Sequence, residues 1–179
     1  MKDVKLAKNF RLSEFTKTDV TDYQLSLLKI LAGELQKVRD FLQDFKSGKS
    51  AVSIGINSGL RTQADYDRLK KSGYNPSTTS DHFCGLQIQG KPTIGAADIS
   101  VKNCSLSLRE IASKIIDLDM DGVVHFGQVI YETNPKTGSE WIHLGNDWKL
   151  IFQDSVNISR KKYLMSLDNG KTYQTFKRK

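Results

Sequence analysis

Apolar residues recur at three- and four-residue steps between about Thr21 and Phe45: Leu28, Leu31, Leu35, Val38, Leu42 and Phe45. In an α-helix those steps fall on one stripe, so the segment reads as a long helix with that stripe in the core. Thr21 or Thr18 can cap its start with a hydroxyl. After Ser47-Gly48-Lys49-Ser50 the rhythm changes. Ala51-Val52-Ser53-Ile54-Gly55-Ile56-Asn57 alternates and reads as a strand ended by Ser58-Gly59. A short helix is expected from about Gln63 to Lys71 and a polar loop from Gly73 to Thr79. Phe83 to Ile94 reads as irregular, with Gly85, Gly90 and Pro92. Gly95 to Val101 reads as a strand, and Ser107 to Leu118 as a helix. Val123 to Tyr131 and Glu140 to Leu144 read as two strands joined by the turn sequence Asn134-Pro135-Lys136-Thr137-Gly138. Asn169-Gly170 predicts a final hairpin. At the start, Phe10 and Phe15 frame a short arm packed on the domain.

Length and composition fit this picture. A chain of 179 residues with 38% hydrophobic and 26% charged residues predicts one globular domain spanning 1–179. No apolar run is long enough to span a membrane, and the first residues lack the apolar run of a signal peptide. Synthesis in the cytoplasm is expected, with release needed for any action outside. The net charge of +7 allows an anionic partner or a solvated basic surface. Arg160-Lys161-Lys162 and Lys177-Arg178-Lys179 are local basic clusters. Ser47-Gly48-Lys49-Ser50 lacks the spacing of a phosphate-binding loop. Cys84 and Cys104 form no CxxC pair and read as free structural thiols, with one disulfide as the alternative.

The chain has three histidines, His82, His125 and His143. Ser80-Asp81-His82 ends a polar loop, and Gly95-Ala96-Ala97-Asp98 follows on a strand. Glu140-Trp141-Ile142-His143 places an acid three residues before a histidine. Ser58-Gly59-Leu60-Arg61 places an arginine after a strand end. Two imidazoles and a carboxylate form a known catalytic zinc ligand set with an open fourth position. Such chemistry also needs a proton-transferring carboxylate and a cation for the oxyanion.

These four motifs, in this order, resemble the zinc D-alanyl-D-alanine peptidases of the hedgehog/DD-peptidase fold, whose signatures are SGxR, SxHxxGxAxD and ExxH. Phe10-Arg11-Leu12-Ser13-Glu14-Phe15 and Gly170-Lys171-Thr172-Tyr173 resemble the two ends of a small branch common in phages, so the likeness covers nearly the whole chain. It implies an α+β fold: a central, mainly antiparallel sheet with flanking helices. It also implies a hydrolase, a metallopeptidase acting on peptidoglycan stem peptides. One Zn2+ per chain would be held by His82, Asp98 and His143, with Glu140 as catalytic base and Arg61 on the substrate carbonyl and oxyanion. Ser80 would hydrogen-bond substrate or a ligand. A monomer without a nucleic-acid partner is expected.

The sequence departs from the family pattern between His82 and Asp98. Sixteen positions separate them, and the extra material includes Cys84, Gln87, Gln89 and Lys91. A hairpin or loop must carry it if both ligands converge; Asp81 and Cys84 are the substitute ligands. Glu132 is the competing acid. Glu140 and His143 differ by an odd number, so an ideal strand would point them to opposite faces, and a bulge or strand end must bring both to a metal. His125 has no motif around it and reads as a strand residue facing solvent or a partner. Two other functions stay open: a non-catalytic zinc-containing binding module of the same fold, and a basic nucleic-acid-binding protein.

Overall fold

The computed structural model describes residues 3–74, 76–151 and 161–177. It begins with a small hairpin, β1 (Lys5–Ala7) and β2 (Phe10–Arg11), followed by α1 (Leu12–Phe15). Phe10 and Phe15 are buried edge to face with ring centroids 6.2 Å apart, so the opening segment is a docked arm.

The long helix is α2 (Asp22–Phe41), continued by a 3-10 turn at Leu42–Phe45. Thr21 caps it: its hydroxyl accepts the Gln24 N–H, and the Gln24 side chain returns to the Thr21 N–H. Leu28, Leu31, Leu35, Val38 and Leu42 are fully buried. Each such side chain contributes roughly 1.5–3 kcal/mol. The helix α3 (Gln63–Lys71) starts on a Thr62/Asp65 capping box and buries no residue. The helix α4 (Leu108–Met120) starts on a Ser107/Glu110 box and buries Ile111, Ala112, Ile115 and Ile116.

Six strands form the central sheet: β3 (Ser53–Ser58), β6 (Ala96–Lys102), β7 (Phe126–Asn134), β8 (Ser139–Asn146), β9 (Lys162–Ser166) and β10 (Gln174–Thr175). Their spatial order is β10-β9-β7-β8-β6-β3. Every pair is antiparallel except β7 with β9. The fold is therefore a mixed α/β domain around a mainly antiparallel sheet, as expected. The final hairpin is present as β9 and β10. A short α5 (Trp148–Ile151) follows β8. No helix among the described residues is long and apolar enough to cross a membrane.

Two segments differ from the sequence reading. Phe83–Ile94 is not irregular: a 3-10 turn (Asp81–Phe83) leads into a two-stranded hairpin, β4 (Gln87–Ile88) and β5 (Lys91–Pro92). Its tip is Gln89-Gly90, both left-handed at φ 51° and 73°, the primed turn that matches strand twist. The strand expected at Val123 begins at Phe126, because Gly122 ends α4 with φ 73° and Val123 stays exposed. The basic clusters fall partly outside the described residues, at Arg160, Arg178 and Lys179. Cys84 and Cys104 are both free, the first buried.

Candidate metal centre

Strand alternation decides which side chains reach which face of the sheet. On one face, Ile99, Val129, Ile142 and Leu144 are buried in the core shared with α2 and α4. On the other, Asp98, Gln128, Ile130, Glu132, Trp141 and His143 line a cleft of about 770 Å³. The loop after α3, the β4–β5 hairpin and the β9–β10 loop wall it in.

At its floor, His82, Asp98 and His143 converge, and each offers one ligand atom to a common point. Asp98 and His143 are cross-strand partners on β6 and β8. His82 arrives from the 3-10 turn. Its Nε2 lies 3.2 Å from Asp98 Oδ1 and 3.2 Å from His143 Nδ1, and His143 Nδ1 lies 2.9 Å from Asp98 Oδ1.

A tetrahedral ion about 2.0–2.1 Å from each ligand sets ligand atoms about 3.3 Å apart, close to this triangle. The tautomer of His82 strengthens the fit. Its Nδ1 is 2.7 Å from the Gly59 carbonyl, which can only accept, so Nδ1 carries the proton. In a neutral ring Nε2 is then a lone pair, aimed at a carboxylate oxygen and a second imidazole nitrogen. One cation satisfies all three. The group can hold a metal ion.

The supports of His82 explain two sequence motifs. Gly59 orients the ring, and the Arg61 N–H donates to the His82 carbonyl at 2.8 Å. A side chain on Gly59 would run into the Phe15 backbone, and Leu60 N–H donates to Phe15 O at 2.8 Å. The opening arm thus braces the segment that fixes the ligand's tautomer. Ser80 caps the turn, its hydroxyl accepting His82 N–H at 3.4 Å. Ser80 and Arg61 both line the cleft.

The sixteen-residue separation of His82 and Asp98 does not disturb this convergence. Asp81 closes the base of the intervening hairpin: the Asp81 carbonyl accepts the N–H groups of Cys84 and Gly95, at 3.0 and 3.1 Å, and its carboxylate accepts that of Ile94 at 3.3 Å. Asp81 is thereby a structural residue and stands outside the ligand triangle. Cys84 is also outside it: burial pushes its thiol up to about 12, with the Asp81 charge adding, so it is no thiolate ligand at neutral pH.

Glu140 requires a correction as the acid beside the metal group. The β7–β8 register runs unbroken from Gln128↔Gly145 to Asn134↔Ser139, with the irregularity only near Phe126. The sheet's other bulge lies on β3, between Ile56 and Ser58. With no bulge beside it, Glu140 takes the face of Ile142, opposite His143. There it accepts a 2.9 Å hydrogen bond from the Tyr131 hydroxyl. The acid in the cleft is Glu132, cross-strand from Trp141.

Glu132 is 8% exposed. Burial pushes its carboxyl up to about 7; His143 opposes this, the Asp98 charge adds to it, and Trp141 and Arg61 oppose it. For Asp98, burial alone would raise the pKa, yet in the metal-free site the His82 and His143 imidazoles, when protonated, hold it well below the usual carboxylate range. Burial lowers the Arg61 pKa against the charges of Asp98, Asp65 and Glu132, and its Nε is buried without a hydrogen-bond partner. Tyr173 also reaches the cleft; only its place in a turn motif was visible in the sequence. His125 stays away, on the Glu34 side of α2.

Comparisons with protein-family models, curated proteins and solved structures return no match for this chain.

Proposed function

We propose that this chain is a zinc-dependent peptidase of peptidoglycan stem peptides, with Glu132 as its acid–base residue. The observation that carries the reading is the His82–Asp98–His143 triangle, with the His82 lone pair locked inward by Gly59 and the buried Glu132 carboxyl alongside. Two histidines and one aspartate are hard-to-borderline donors that suit zinc and leave a position open. A zinc ion held there would polarise the substrate carbonyl and acidify water.

The chain's own groups supply the rest. Glu132 takes a proton as water oxygen bonds to the carbonyl carbon. It returns that proton to the amide nitrogen as the C–N bond breaks, and the remaining hydroxyl proton passes to the released amine, so one water is consumed and one carboxylate and one ammonium group are released. Its buried place in the cleft beside the metal group suits it to both halves of that transfer. Arg61, with an unsatisfied Nε in a partly buried setting, supports the oxyanion.

The substrate class rests on the resemblance of SGxR, SxH, an altered GxAxD ending and ExxH to zinc DD-peptidases, and the +7 charge suits an anionic wall. Zinc per chain and digestion of purified peptidoglycan test the reading. Wild type should bind one equivalent and release peptide fragments, and mass analysis of those fragments identifies the bond. A chain that binds no zinc, or a zinc-loaded chain that releases nothing, defeats it.

A further inference from the structure

The loop joining β9 to β10 is built around Asp168. Its carboxylate accepts the Ser166 hydroxyl at 2.9 Å, the N–H groups of Lys171 and Thr172 at 3.1 and 2.9 Å, and the Thr172 hydroxyl at 2.6 Å. Ser166 Oγ accepts the Gly170 N–H at 3.0 Å, and the Asn169 N–H donates to the Thr133 carbonyl of β7 at 2.9 Å. The loop is thus tied both to itself and to the strand that carries Glu132.

What this scaffold positions is Tyr173. A Cβ on Gly170 would stand 3.0 Å from the Tyr173 hydroxyl and 3.4 Å from Glu132 Oε2. Both oxygens therefore crowd one point of the loop, and the φ of 75° there also favours glycine. Tyr173 shares the cleft with Glu132, Asp98 and His143. Tyr173 is half exposed, yet the loss of water on its cleft side, with the charges of Glu132, Asp98 and Asp168 adding, raises its phenol pKa, so the hydroxyl keeps its proton. Arg61 approaches from the β3 side of the metal group, and Tyr173 from the β10 side.

We infer that the Tyr173 hydroxyl is a catalytic hydrogen-bond donor, delivered by the Asp168-centred loop to the oxygen of the tetrahedral species on the Glu132 side of the site. This rests on the peptidase reading. No covalent step is added: the phenol donates a hydrogen bond as charge develops and keeps its proton. The contact strengthens in the transition state, so its loss should appear in kcat and not in KM.

The experiment measures hydrolysis of purified muropeptides by zinc-loaded wild type, Tyr173→Phe and Glu132→Gln, with zinc content and Tm for each. Tyr173→Phe keeps the ring and its packing. Its kcat should fall about 100-fold, with KM, zinc content and Tm unchanged. Calorimetric binding of the same muropeptides to Glu132→Gln and to Glu132→Gln/Tyr173→Phe should give matching Kd values. A Tyr173→Phe kcat within twofold of wild type, or a loss confined to KM and Kd, overturns the inference. If that happens while Glu132→Gln is inactive, the peptidase reading stands and the tyrosine role alone falls. If zinc-loaded wild type cleaves nothing, both fall together.

Discussion

On β8, Ile142 and Leu144 are fully buried toward α2 and α4, while Trp141 and His143 line the cleft on the opposite side. The same division runs through β6, where Ile99 is core and Asp98 is a candidate ligand, and through β7, where Val129 is core and Glu132 is the cleft acid. One set of strands builds both the hydrophobic core and the floor of the cleft, and the two-residue strand period separates them. Two carboxylates one strand apart, Glu132 and Glu140, therefore end in unlike surroundings: the first buried beside Asp98 and His143, the second exposed and bonded to Tyr131.

The sharpest way to break this comparison is to empty the cleft face. Asp98→Ala should reduce bound zinc from one equivalent to none after dialysis, read by atomic absorption; a fully loaded variant would mean that the metal sits elsewhere. Next come the paired acids. Glu132→Gln should lower turnover about 1000-fold with zinc retained, and Glu140→Gln should stay within about threefold of wild type. The reverse ranking would return the acid role to Glu140. On the core face, Ile142→Ala should cost about 2–5 kcal/mol in chemical denaturation, while the folded fraction still binds zinc.

A pH effect of smaller size follows from Glu132 in the metal-free protein. Its folded pKa, about 7, lies above its ordinary value of 4.5. Between those values the folded state holds more protons than the unfolded one, so stability falls as pH rises, and it levels off above about 7. Glu132→Gln cannot ionise. Its stability advantage over wild type should grow across that window to the order of 1–3 kcal/mol, and denaturation at several pH values would read it. A constant difference would show that Glu132 is not the group responsible. At the small end, His125→Gln should change stability by less than about 0.5 kcal/mol and leave zinc binding intact.

Local chemistry was legible wherever a few neighbouring residues decide it. The capping boxes at Thr21, Thr62 and Ser107 mark helix starts through bonds spanning three residues. The α2 stripe needs only a period of 3.6. The grouping of His82, Asp98 and His143 was readable because histidine is scarce and each of the three sits in a short motif. The choice between Glu132 and Glu140 was not, because it depends on whether a bulge interrupts the β7–β8 pairing. That is a property of two strands together, and the odd spacing of Glu140 and His143 only posed the question. Tyr173 was hidden for a similar reason. Its closeness to Glu132 comes from a loop folded back over another strand, about 40 residues away in the chain.

The hairpin between His82 and Asp98 has a consequence for how this cleft could vary. Its two ends are held by one residue, Asp81, through a backbone carbonyl and a carboxylate, immediately beside His82 and shortly before Asp98. Whatever lies between is an excursion whose length the ligand positions do not register, and lengthening such a loop costs little closure entropy. The stretch from Leu86 to Pro92 is thus a docking port for new sequence. It can be trimmed, extended or exchanged to reshape the rim of the cleft, where Gln89 and Lys91 stand, while the floor keeps its geometry.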